Sequence, residues 1–135
     1  MKTFITEYRV IYGDCDPFDV VYYGRYFDLF ERGRTEMFRD LGLPYREIAD
    51  QGIYTPVIEA GCTYIQSARY DDLLLIETRI GQIGRARIRF DYSIYRKNPH
   101  TLLAEGFTVH AFVNNQRKIL RVPPEVIHVV KGLTE

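Results

Sequence analysis

Between positions 22 and 41 apolar residues recur three or four apart: Tyr22, Tyr26, Leu29, Phe30, Gly33, Met37 and Leu41. This is one stripe of an amphipathic helix, and no other part of the chain holds that period so long. Arg25, Asp28, Arg32, Glu36 and Arg39 occupy the opposite side. Gly42 follows as a C-terminal stop. Gly33 lies inside the stripe, where it weakens a helix by about 1 kcal/mol relative to Ala. Close approach of a sheet at that point accounts for it.

The rest of the chain reads differently. An initial strand spans 4–12, and 44–51 forms a short helical turn. After Gly52 the period falls to two, which predicts strands over 55–67, 73–83, 86–97, 102–114 and 116–122, then a helical turn at 126–130. In 86–97, Ala86, Ile88, Phe90, Tyr92 and Ile94 share one face, and Arg87, Arg89, Asp91, Ser93 and Tyr95 share the other. Such one-sided burial suits an antiparallel sheet that wraps a helix. The fold class is therefore α+β, with about five to six strands around one long central helix. The 135 residues contain no linker or repeat, so one domain is expected over 1–135.

Charge and cysteine content narrow the function. There are 18 basic and 18 acidic side chains, a net charge of zero, which argues against a nucleic-acid partner. Cys15 and Cys62 belong to no C-x-x-C pair and the three histidines are scattered, so no metal site is expected. The first residues lack the apolar segment of a secretion signal, and no apolar run approaches membrane-spanning length. Together with free thiols this reads as a cytoplasmic protein.

Ahead of the helix, Asp14, Asp16 and Asp19 crowd six residues. A calcium loop counted from Asp14 fails: its fifth, sixth and twelfth positions are Phe18, Asp19 and Arg25, where an acid, a glycine and a glutamate are needed. Asp19 suits a helix cap, and Asp14 an ordinary turn. Asp16 precedes Pro17 and an apolar helix start, a setting for acyl transfer. A carboxylate there is able to attack a carbonyl or activate water, while helix-start N–H groups face the oxygen that gains charge.

The run Tyr12-Gly13-Asp14-Cys15-Asp16-Pro17-Phe18-Asp19-Val20-Val21-Tyr22-Tyr23, followed by Tyr26, Phe30, Glu31, Arg34 and Glu36, resembles the 4-hydroxybenzoyl-CoA thioesterase family. It is similar also to that family's relatives, the short bacterial acyl-CoA thioesterases encoded beside the Tol–Pal genes. Tyr70-Asp71-Asp72 and Val122-Pro123 match in spacing further on. The resemblance implies the hot-dog fold and hydrolysis of an acyl-CoA thioester to a free acid and CoA, without a cofactor. It places the catalytic aspartate, as nucleophile or general base, on Asp16. It places the backbone N–H that polarises the thioester carbonyl on Tyr23. It also implies a homodimer or homotetramer with the site at a subunit interface. One departure is Asp19, which stands where the family carries a glycine; Asp tolerates the left-handed backbone better than most residues.

CoA carries phosphates, and Arg85, Arg87 and Arg89 alternate at period two. Arg suits bidentate phosphate contacts. The resemblance favours Arg85 and Arg87, with Arg89 and Lys118 as further substrate-binding candidates. Tyr22, Tyr26, Phe30 and Tyr54 are candidates for the acyl pocket, each with core packing as the competing role, and Thr55-Pro56 and Cys62 to Gln66 are expected to border the site. Two other functions stay open: a non-catalytic acyl-CoA or acyl-carrier binding protein, and a hot-dog dehydratase. Dehydratases of this fold use a His, and none occurs before His100. The neutral total conceals a division: residues 1–78 carry 8 basic and 14 acidic side chains, while residues 79–121 carry 9 and 2.

Overall fold

A computed structural model describes residues 2–134. Its elements in chain order are β1 (Phe4–Arg9), α1 (Arg25–Asp40), α2 (Tyr45–Asp50), β2 (Val57–Tyr64), β3 (Leu73–Ile83), β4 (Arg87–Arg96), β5 (Thr101–Ala111) and α3 (Pro124–Thr134). The five strands form one antiparallel sheet in the order β1-β3-β4-β5-β2. The helix α1 lies on one face of this sheet, which is the α+β hot-dog arrangement.

The period-two pattern explains the sheet's two faces. Along β4, Ile88, Phe90, Tyr92 and Ile94 are buried, and Leu74, Ile76, Thr78 and Ile80 do the same along β3. From α1, Tyr26, Leu29, Phe30, Gly33, Met37 and Phe38 meet them. The ring of Phe30 stacks on that of Tyr92, 4.4 Å between centroids. The expected close approach at Gly33 is present: a Cβ there would sit 2.8 Å from Ile76 Cγ2 and 2.3 Å from Thr78 Oγ1.

Two elements differ from the sequence pattern. Residues 116–122 make no strand; Ile119 forms a single bridge to Val113. The amide oxygen of Asn114 accepts from the N–H groups of Gln116 and Lys118, closing a tight turn, and Pro123 and Pro124 then lead into α3. The long helix begins at Arg25 rather than just after Asp19. The β-branched Val20 and Val21 bridge to Arg69 and Cys15 instead, and Gly24 takes the N-cap position. Asp19 therefore caps no helix.

Strand register defines two ends of the sheet. Val57 pairs with His110, which pairs with Ile88, beside Arg87. Tyr64 pairs with Ala104, which pairs with Ile94. Seven residues at about 3.3 Å each separate the two ends along β2, roughly 23 Å. Among the described residues, no helix is long and apolar enough to cross a membrane.

Candidate active site

The acidic loop is a miniature hairpin. Cys15 bridges Val21, the Asp16 N–H donates to Val20 O at 2.9 Å, and the Asp19 N–H donates to Asp16 O at 3.0 Å. Asp19 closes this turn with φ of 64°, in the left-handed region where Asp is among the tolerated residues. Pro17 provides a fixed φ at the turn's second position.

The three aspartates have separate fates. Asp14 Oδ2 accepts from the Tyr8 hydroxyl at 2.8 Å and from the Ile11 N–H at 3.0 Å, so it holds the loop to β1. Asp19 is exposed. Asp16 is half-buried, and its Oδ1 accepts from the Phe18 N–H at 2.8 Å. That bond fixes the carboxylate, and Oδ2 has no partner among the described residues.

Asp16 lines a cleft of about 220 Å³ with Val20, Tyr23, Tyr26, Tyr64 and Gln66, among others. The floor comes from the turn that leads into α1. Tyr22 N–H donates to Asp14 O, and Arg25 N–H to Tyr22 O. The N–H of Tyr23, between them, has no acceptor among the described residues. The Tyr64 hydroxyl donates to Tyr23 O at 2.9 Å and ties this turn to the end of β2. Burial, together with Cys62 and Tyr26, pushes the Tyr64 hydroxyl up to about 12, so it stays a donor. Tyr64 is the residue that sequence reasoning did not single out by name, although the 62–66 segment was expected to border the site.

Other candidates fall elsewhere. Tyr26 is buried, and its hydroxyl accepts from the Ala68 N–H at 3.4 Å, so it serves both cleft wall and core. Tyr22 is 46% exposed, packs on Tyr23, and is absent from the cleft lining. Arg85 and Arg87 are exposed at the β3–β4 turn, and Lys118 at the turn after β5. The guanidinium of Arg89 lies over the Phe107 ring at 4.2 Å, and its Nε donates to Asp91 at 3.0 Å. All four belong to the Val57 end of the sheet, whereas Asp16 belongs to the Tyr64 end. One protomer does not bring the basic row to the carboxylate.

The residues from 10 to 130 match the family model described as the thioesterase-like superfamily. The acyl-CoA thioesterase YbgC of Haemophilus influenzae is 34% identical over 75% of this chain and 73% of its own. A structure of a hypothetical protein from Thermus thermophilus superposes with a TM-score of 0.90 at 28% identity, covering 98% of both chains. The structure of 4-hydroxybenzoyl-CoA thioesterase from Pseudomonas sp. strain CBS-3 superposes with a TM-score of 0.85 at 26% identity, over 96% of this chain and 99% of that one. The match along nearly the whole sheet-and-helix unit, with these relatives, means that the chain belongs to the hot-dog-fold thioesterase-like superfamily.

Proposed function

We propose that this chain is an acyl-CoA thioester hydrolase in which Asp16 is the catalytic carboxylate. The observation that carries the reading is that, among the described residues, one cleft is lined both by Asp16, whose Oδ2 has no partner, and by Tyr23, whose N–H in the turn that leads into α1 has no acceptor. The thioester carbonyl oxygen takes the Tyr23 N–H, which stabilises the charge that develops there. Asp16 then either adds to the carbonyl carbon or takes a proton from the water that adds. Either way the C–S bond breaks and the electron pair leaves with the CoA sulfur, which takes a proton; where Asp16 has added, water then hydrolyses the acyl–Asp16 anhydride, so each turnover consumes one water and restores the carboxylate. The named activities of the superfamily relatives, an acyl-CoA thioesterase and a 4-hydroxybenzoyl-CoA thioesterase, support the same substrate class.

The working unit is a homodimer, with a homotetramer as its doubling, in the cytoplasm, and 1–135 acts as one domain. The edge strand β2 supports this. Val57, Ile58 and Tyr64 on it are 44–49% exposed, and Glu59 is its one charged residue. Long uncharged edges are templates for pairing. Antiparallel pairing of β2 with a second copy brings the Val57 end of one protomer beside the Tyr64 end of the other. Arg85, Arg87 and Lys118 of one copy then approach the Asp16 cleft of its partner, where CoA phosphates need cations. Replacing Asp16 by Asn tests the reading: hydrolysis, followed by free-thiol release over a panel of acyl-CoAs, falls by at least about a hundredfold. An unchanged rate for every acyl-CoA would mean that Asp16 is not catalytic, whereas a wild type that hydrolyses none of them would favour a binding protein.

A further inference from the structure

A second cavity, of about 350 Å³, lies at the Val57 end of β2. Phe38, Ile48, Val57, Phe90 and Phe112 give it apolar walls, and Arg34 reaches it from α1. The Arg34 side chain is only 18% exposed. Of the five N–H groups a guanidinium carries, one donates to the Tyr92 hydroxyl at 3.3 Å. The nearest carboxylate, Glu31, stands 3.8 Å away, beyond hydrogen-bond distance, on a side chain that is 70% exposed. The remaining N–H groups of Arg34 have no acceptor among the described residues. A mostly buried cation so weakly partnered calls for an acceptor in the space it faces.

The wall behind Arg34 cannot supply that acceptor, because its protons are all assigned. His110 Nδ1 is 2.9 Å from Thr55 O, a carbonyl that only accepts, so Nδ1 carries the proton. In the neutral ring Nε2 therefore accepts, and Thr108 Oγ1, 2.9 Å away, donates to it. Tyr92 in turn donates to Thr108 Oγ1 at 2.6 Å. Only a lone pair of Tyr92 is left for Arg34. Tyr92, Thr108 and His110 are each at most 2% exposed, so this order is fixed by the core.

We propose that this cavity receives the far end of the acyl group, and that Arg34 selects acyl groups whose far end carries an oxygen acceptor over those that end in carbon. The proposal rests on the thioesterase reading above. In the β2-paired dimer the cavity of one protomer opens beside the Asp16 cleft of its partner, since Thr55 to Val57 line the first and Tyr64 to Ser67 the second. A hydroxyl fits best: it accepts from Arg34 and donates to Glu31. A carboxylate has to displace Glu31, whose exposed side chain is free to turn to solvent. The apolar walls take the methylene or aromatic part between.

The test compares 6-hydroxyhexanoyl-CoA, adipoyl-CoA and hexanoyl-CoA by free-thiol release. At least one oxygen-ended substrate is expected to exceed hexanoyl-CoA in kcat/KM by about tenfold or more, mainly through KM. The Arg34→Gln variant brings that ratio close to one, and Arg34→Lys retains part of it. The ratio is taken within one preparation, so partial misfolding does not alter it. Replacing Glu31 by Gln raises adipoyl-CoA relative to 6-hydroxyhexanoyl-CoA. Hexanoyl-CoA turned over as well as both oxygen-ended substrates, or a ratio unchanged in Arg34→Gln, overturns the proposal. If the wild type hydrolyses no acyl-CoA, the thioesterase reading fails by itself. Calorimetry with adipate then decides the cavity: binding lost in Arg34→Gln supports it, and no binding to the wild type sinks it.

Discussion

A methyl group on Gly33 would lie 2.3 Å from Thr78 Oγ1, inside any permitted contact, so α1 and β3 touch backbone to side chain at this point. Replacing Gly33 by Ala improves intrinsic helix propensity by about 1 kcal/mol. It also overpacks a fully closed interface, which typically costs about 1–3 kcal/mol. The net expectation is destabilisation of up to about 2 kcal/mol, read by denaturant unfolding. The second replacement Thr78→Ala clears the clash and recovers part of the loss, giving a favourable coupling in a double-mutant cycle.

How far the sequence reveals the fold follows from the same contact. The period of 3.6 residues marks α1, and a glycine inside the stripe marks where a sheet presses on it. The period of two marks β1, β3 and most of β4 by an alternation of burial, whereas β2 is exposed or half-buried along its length and β5 ends in consecutive buried residues. What the pattern misses is set by local polar bonds. Residues 116–122 alternate like a strand, but Asn114 Oδ1 gathers two N–H groups and turns the chain away. Val20 and Val21 share the apolar character of the helix start, but their backbone bridges to Arg69 and Cys15. For the site, the acidic loop stands out because its acids are adjacent in sequence. The Tyr64 bond to Tyr23 joins residues 41 apart, and no local spacing reports it.

Asp19 has φ of 64°, and a left-handed residue with a Cβ carries a cost that glycine lacks. Asp bears less of it than other residues do. Asp19→Gly is therefore expected to change stability by less than about 1 kcal/mol, whereas Asp19→Val, β-branched, lowers it by about 1–2 kcal/mol or more. Thermal unfolding of the two variants beside the wild type measures both. Because the turn also orients Asp16, Asp19→Val loses activity as well as stability.

Burial drives the His110 ring well below its ordinary value, down to about 4, with the charge of Arg34 acting in the same direction and the bond to Thr55 O opposing them. The unfolded chain titrates this group near about 6.5. Below that pH the unfolded state binds a proton that the native state refuses, so stability falls as pH drops from about 6.5 towards 4. Above about 6.5 the group contributes no slope. Thermal unfolding followed across this range in the wild type and in His110→Gln is expected to show a shallower acid slope in the variant. Equal slopes would mean that another group governs the acid limb.

The free edge of β2 gives the most direct test of assembly. Ala60 is exposed near the middle of the strand, opposite Thr108 of β5. In an antiparallel pair about a two-fold axis, residues near the strand centre from both copies lie close together. Ala60→Lys therefore places two like charges near that axis and uses the device by which natural edges resist pairing. Ala60 lines neither the Asp16 cleft nor the Arg34 cavity. Sedimentation is expected to shift the variant towards monomer. Thioester hydrolysis falls with it, by about tenfold or more in kcat/KM, because each site then lacks its partner's basic row and acyl cavity. A variant that stays dimeric moves the interface off β2. A monomer with full activity places the whole site within one protomer and removes the physical reason for pairing the two ends of the sheet.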